Sequence, residues 1–116
     1  MDIEIGDYVR TSDGIKRIIK INIGKEATYY GTYILDTKYK GSNSIARKNI
    51  LNHNKDIIEL VEVGDFVNGK YVFDVFEENG QKFIKVDCMR GYYYQNEIKT
   101  ILTKEQYEQY AYKVEV

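Results

Sequence analysis

The string IEIGDYVR at residues 3–10 returns as VEVGDFVN at residues 61–68, matched or conservatively replaced at every position but the last. Self-similarity of this kind means one structural unit used twice. It restricts the chain to folds that can be assembled from two units, 1–60 and 61–116. The motif has a physical reading. Ile3 and Ile5, or Val61 and Val63, alternate with acids as a strand does, the Gly-Asp pair turns the chain, and Tyr8-Val9 or Phe66-Val67 starts the next strand.

Each half continues in the same manner. Ser12-Asp13-Gly14 and Asn68-Gly69 are hairpin-turn signals, and strands follow both. Ile19, Ile21 and Ile23 alternate with Lys20, Asn22 and Gly24, and Ile84, Val86 and Cys88 alternate with Lys85 and Asp87, so each strand is expected to bury one face. Further strands are expected near residues 29–36, 45–51, 70–77 and 92–101, with Asn79-Gly80 as another hairpin turn. Asn52 to Asp56 reads as a turn, with Ile57-Ile58 opening a strand that links the halves. One short helix is expected: Thr103 with Gln106 is a capping-box pattern, after which Tyr107 and Tyr110 share a face. Tyr112, Val114 and Val116 then alternate as a closing strand.

The short strand, Gly-Asp turn and YVRTSDGI stretch resemble the opening of SH3-like barrels, including KOW elements. The strand spacing suits a small barrel or sandwich, and with this resemblance the expected fold is mainly β, two tandem SH3-like small barrels, sharing one core or not, with the one short helix near the C-terminus. A second resemblance spans most of the chain. The blocks IEIGDYVRTSDGIKRIIKI, DIIELVEVGDFVNGKYV and IKTILTKEQYEQYAYKVE look like those of a group of small proteins from Firmicutes, their phages and prophages. This implies a mobile-element origin, where proteins without catalytic motifs commonly act by binding and blocking host machinery.

Composition narrows the function classes. Charged residues make up 30% and hydrophobic ones 43% of 116 residues, a globular balance that excludes disordered, collagenous and membrane-spanning classes. The start MDIEIGDYVR has neither a basic nor an apolar stretch, and the lone Cys88 cannot form an internal disulfide, so the expected location is the reducing cytoplasm of a bacterial host, with no membrane partner. Net charge is −1, unlike a strongly basic nucleic-acid binder. The halves differ: residues 1–60 carry ten Lys and Arg against eight Asp and Glu, and residues 61–116 carry seven against ten, or +2 and −3.

Catalytic parts are missing from the sequence. The one histidine, His53, sits in the polar NHNKD segment and reads as a surface-loop residue, and Cys88 reads as a buried, inert strand residue. One His and one Cys imply no zinc site, and no metal or cofactor is expected. Glu77-Glu78 and Glu105 with Glu108 read as solvated surface, and Gly24, Gly31 and Gly41 are too scattered for a phosphate loop.

Two constellations remain as binding candidates. The first interleaves Arg10, Lys16, Arg17, Lys20, Lys38, Lys40, Arg47 and Lys48 with Tyr29, Tyr30, Tyr33 and Tyr39, a pattern that can hold phosphates while stacking bases. The second is Arg90-Gly91-Tyr92-Tyr93-Tyr94. Three consecutive Tyr cannot all face inward on a strand, so aromatic surface must be presented beside Arg90. The expected function is stoichiometric binding that blocks a host protein or nucleoprotein complex, as an anti-CRISPR-like inhibitor of a bacterial defence system does. The alternatives are a KOW-like nucleic-acid or ribosome-associated module, and a sponge for a small signalling nucleotide, for which a homodimer would build the pocket.

Overall fold

The repeated motif folds the same way twice. In the first copy the Asp7 N–H donates to the Glu4 carbonyl (3.1 Å), the Glu4 N–H donates to Asp7 Oδ2 (3.0 Å), and Gly6 sits between them at φ +93°. In the second, the Asp65 N–H donates to the Glu62 carbonyl (3.1 Å), the Glu62 N–H donates to Asp65 Oδ2 (2.8 Å), and Gly64 has φ +102°. A positive φ at the third turn position is what demands glycine there. The wiring onward also matches. Gly6 and Gly64 donate to the carbonyls of Ile18 and Val72 (2.8 and 3.0 Å), while the Ile18 and Val72 amides donate to the Asp7 and Asp65 carbonyls (2.9 and 2.8 Å).

The expected strand before each turn is absent. Ile3 is buried but Ile5 is 60% exposed, so the two do not share a strand face, and turn and carboxylate bonds take up backbone groups that a ladder would use.

The computed structural model describes residues 3–22, 32–36, 44–111 and Val114, in two compact units, Met1–Leu60 and Val61–Val116. The first unit is an antiparallel sheet of β1 (Tyr8–Thr11), β2 (Gly14–Asn22), β3 (Thr32–Asp36), β4 (Ser44–Ala46) and β5 (Asn52–Asn54), in the order β4-β3-β2-β1-β5. Its core is Ile3, Val9, Ile18, Leu35 and Ile50, with Ile21, Tyr33 and Ile45 packed against it. The second unit is a sheet of β6 (Phe66–Val67), β7 (Lys70–Glu78), β8 (Gln81–Val86) and β9 (Ile101–Leu102), in the order β8-β7-β6-β9. It buries Val61, Val67, Val72, Ile84 and Val86 completely. The protein is therefore mainly β. The described strands of each sheet pair in open order rather than closing into the expected barrels.

Local turn chemistry behaves as the sequence predicts. Thr11 and Gly14 close the β1–β2 hairpin across Ser12-Asp13, and Asn68-Gly69 and Asn79-Gly80 close two more with φ values of 53°, 78°, 55° and 76°. Thr103 caps helix α1 (Lys104–Tyr110): its Oγ1 accepts the Gln106 N–H (3.2 Å) and Gln106 Oε1 accepts the Thr103 N–H (3.0 Å).

Several expectations change. A bulge between Ile18 and Lys20, where β2 pairs with β3, shifts the phase of β2, so Ile18 is buried and Ile19 is 54% exposed. Ile23 and residues 29–31 lie outside the described residues, as do Tyr112 and Val116. Residues 47–49 form a 3₁₀ turn after β4 instead of extending it. Asn52–Asn54 is an edge strand rather than a turn, and Ile57–Leu60 is 3₁₀ rather than strand. Residues 92–101 form no continuous strand: a single bridge at Tyr93 is followed by the 3₁₀ turn Gln95–Glu97 and short β9.

Candidate interaction surfaces

The β7–β8 hairpin has two apolar sides. Val72, Val75, Ile84 and Val86 lie on one side, through the pairs Val72↔Val86 and Val75↔Ile84. The pair Phe76↔Phe83 lies on the other, with the rings stacked at 5.3 Å. Past Val86 the chain turns at Asp87-Cys88, the Asp87 N–H donating to the Tyr71 carbonyl (2.9 Å), and turns again at Gly91. It comes back beside β8, where the Tyr93 N–H donates to the Ile84 carbonyl (3.0 Å).

That one bridge decides where the tyrosines go. With Tyr93 opposite Ile84, its neighbours Tyr92 and Tyr94 fall on the Phe83 side. The Tyr92 ring lies 4.6 Å from Phe83 and 5.7 Å from Phe76, and Tyr94 lies 5.7 Å from Phe83 and 5.5 Å from Tyr92, mostly edge to face. Phe83 is covered to 8% exposure, while Tyr94 at the margin stays 46% exposed. Glu97 Oε1 accepts the Tyr94 N–H (2.9 Å) and fixes its backbone. A hydrogen bond to Tyr94, and then the charges of Tyr94 and Glu78 with some burial, hold the Tyr92 phenol above its ordinary pKa. Arg90 is exposed and lies over none of the described rings.

A second aromatic row was not foreseen from the sequence. Because β6 lies between β7 and β9, Phe66 stands between Tyr71 and Leu102 on the side opposite buried Val67. Phe66 meets the Tyr71 ring at 5.6 Å and the Tyr107 ring of α1 at 5.3 Å. Tyr71, Leu102 and Tyr107 are 40%, 41% and 53% exposed. The signal was present in Tyr107 at helical spacing, but no local pattern shows which strand lies next to which.

The structure describes only part of the first-unit cluster. Arg10 is fully buried, Nη1 donating to the Leu60 carbonyl (2.8 Å), and is no part of a surface. It lies on the face of β1 opposite core residue Val9 and is sealed there all the same, its guanidinium hydrogen-bonded rather than left bare. Arg17 is exposed, 5.9 Å from the Tyr8 ring centre, and Tyr33 packs on the core. Arg47 and Lys48 are exposed on their 3₁₀ turn. Tyr29, Tyr30, Lys38, Tyr39 and Lys40 lie outside the described residues.

Two single residues also move from their expected settings. Cys88 is exposed, at φ +63° in the turn that ends β8, because the strand pairing stops at Val86. His53 is a half-buried β5 residue with Nδ1 3.4 Å from Asp7 Oδ2. Lys55 Nζ reaches Asp7 Oδ1 and Glu4 Oε2, both at 2.9 Å. No helix among the described residues is long and apolar enough to cross a membrane. No family model, no curated protein and no solved structure matches the chain.

Proposed function

We propose that the protein is a non-enzymatic binding module, built on two SH3-like units, that acts by stoichiometric occlusion of a bacterial protein. The three-block resemblance to small phage and prophage proteins points to a host component, such as a defence complex, as the target. The observation that carries the binding reading is the ring group of the second unit. Its centre, Phe83, is sealed, while Tyr94 at its margin is half in solvent on a backbone pinned by Glu97. A rigid, half-exposed Tyr supplies contact area at low entropic cost, the usual makeup of an interface anchor.

The test is affinity purification from a bacterial lysate, with the parent chain and Tyr94→Ala side by side. The parent is expected to retain one protein in equimolar amount. The variant, folded by circular dichroism, is expected to lose roughly thirtyfold in affinity, about 2 kcal/mol. Equal retention by both chains, or retention only of nucleic acid released by salt, would overturn the reading.

A further inference from the structure

The face that carries the ring group can be mapped residue by residue. Asp74, Phe76 and Glu78 of β7 share it with Lys85, Phe83 and Gln81 of β8, through the pairs Asp74↔Lys85, Phe76↔Phe83 and Glu78↔Gln81. At one end Lys85 stands opposite Asp74 and places its Nζ 5.4 Å from the Phe76 ring centre. The protein thus sets a cation on one part of its own aromatic surface, with an acid opposite it in the strand register. Toward the hairpin tip the ring is Tyr94, opposite Phe83 in the register of the Tyr93 bridge and 5.5 Å from Tyr92, and the acid is exposed Glu78. Glu78 follows Phe76 on this face and Tyr94 lies 5.7 Å from Phe83 across from it, so carboxylate and ring flank the same phenylalanine pair. After the Tyr94 hydrogen bond, the charge of Glu78 is the smallest of the causes that raise the Tyr92 phenol. No described Lys or Arg lies over Tyr92 or Tyr94, and Arg90 has no ion-pair partner among the described residues. This end repeats the Lys85 arrangement without its cation.

We propose that this end of the face takes an arginine-bearing segment of a protein partner, a guanidinium stacking on Tyr94 with Glu78 as its counter-ion. The inference rests on the binding reading above and adds the partner's chemistry to it. Arginine suits the site better than lysine because its planar, weakly hydrated group lies flat on a ring while its edge pairs with a carboxylate. A nucleic acid is disfavoured by the same charges. Its phosphates would meet exposed Glu78 and Glu97, on a half of the chain whose net charge is −3 by seven Lys and Arg against ten Asp and Glu.

The experiment titrates the isotope-labelled full chain with four probes followed by nuclear magnetic resonance: a short Arg-Gly repeat peptide, its Lys-Gly and Glu-Gly counterparts, and an oligouridine. The Arg peptide is expected to shift the signals of Phe76, Glu78, Tyr92 and Tyr94, and the Lys peptide to do so more weakly. Glu78→Lys, on an exposed side chain, should keep the spectrum of the folded protein and weaken the Arg peptide about fivefold, which is about 1 kcal/mol. No shift at these residues with the Arg peptide, or an unchanged affinity in Glu78→Lys, overturns the arginine assignment. Preferential binding of the acidic peptide or oligouridine at Tyr94 also overturns it, yet leaves the face as a binding surface. Loss of lysate capture in Tyr94→Ala without any Arg-peptide response separates the two in the same way.

Discussion

Asp7 and Asp65 hold the same turn in the two units, but their second carboxylate oxygens meet different partners. Asp65 Oδ1 accepts the backbone N–H of Lys104, the first residue of α1 (2.9 Å). Asp7 Oδ1 instead faces the Lys55 ammonium at 2.9 Å, a charge contact from a side chain that is 56% exposed. The lysines themselves correspond, since Lys55 pairs with Glu4 and Lys104 with Glu62 at 2.9 and 2.7 Å. The repeat has the carboxylate in both copies, and the helix of the second changes what it holds.

Asp65 therefore ties a turn to the start of a helix, and its loss should be felt at both. It is fully buried, and removing it strands the Glu62 and Lys104 amides. Asp65→Ala is expected to cost about 3 kcal/mol, at the upper range for hydrogen bonds to a charged group. Urea unfolding measures the loss. Faster hydrogen exchange at the Lys104 amide would place it at the helix start, and an unchanged rate there would contradict the assignment.

Asp7 makes the first unit acid-sensitive in a defined direction. Burial pushes its carboxyl up, but hydrogen bonds from Lys55, the Glu4 amide and His53, with the charge of Lys55, outweigh that and hold it below its ordinary value. A folded-state pKa below the unfolded one, about 3.9, means that the unfolded chain binds more protons in between. The stabilisation is then complete above about pH 4 and is lost as pH falls through the folded value. Asp7→Asn should be less stable than the parent at neutral pH, with the gap closing in acid. A gap that stays constant in urea titrations down to about pH 2 would show that the carboxylate is not linked to folding.

What could be read from the sequence was whatever is decided within a few residues. The Asn68-Gly69 and Asn79-Gly80 turns, the Thr103 cap and the repeated Gly-Asp turn all follow from chemistry three or four positions apart. Ile19, His53 and Cys88 could not be placed that way. A bulge set by the partner strand β3 flips Ile19 outward, pairing with β1 draws Asn52–Asn54 into the sheet, and the end of pairing at Val86 leaves Cys88 in a turn. The same holds for the candidate surfaces. The Tyr run had to expose a ring whatever the fold, whereas the row Tyr71, Phe66 and Leu102 exists only because β6 lies between two strands distant in sequence.

Cys88 should react while the protein is folded. Its side chain is exposed and its backbone is left-handed, where a residue with a Cβ is strained. A thiol reagent is expected to label it in the native state at a rate close to that in denaturant. Protection lifted only by denaturant would return the residue to the core. Cys88→Gly, by relieving the backbone, is expected to leave stability unchanged or raise it by up to about 1 kcal/mol in thermal unfolding.

The Tyr92 and Tyr94 pair offers a spectroscopic check on the ring group itself. A hydrogen bond to Tyr94 is the largest cause holding the Tyr92 phenol above its ordinary pKa, with the charges of Tyr94 and Glu78 and partial burial adding to it. A raised folded value means that the folded chain keeps its proton where the unfolded one has lost it. The contribution to stability is then complete below about pH 10 and is lost as pH rises through the folded value. The Tyr92 titration is obtained as the difference in phenolate absorbance between the parent and Tyr92→Phe. Tyr94→Phe keeps the ring and its packing at 5.5 Å but removes the hydroxyl, so it should bring that titration back toward the ordinary tyrosine value. Glu78→Gln should move it the same way by a smaller step, as the lesser of the two causes. If Tyr94→Phe leaves the Tyr92 midpoint where it was, the two hydroxyls are not in contact, and the tyrosines do not lie together on the Phe83 side of β8 as the bridge at Tyr93 requires.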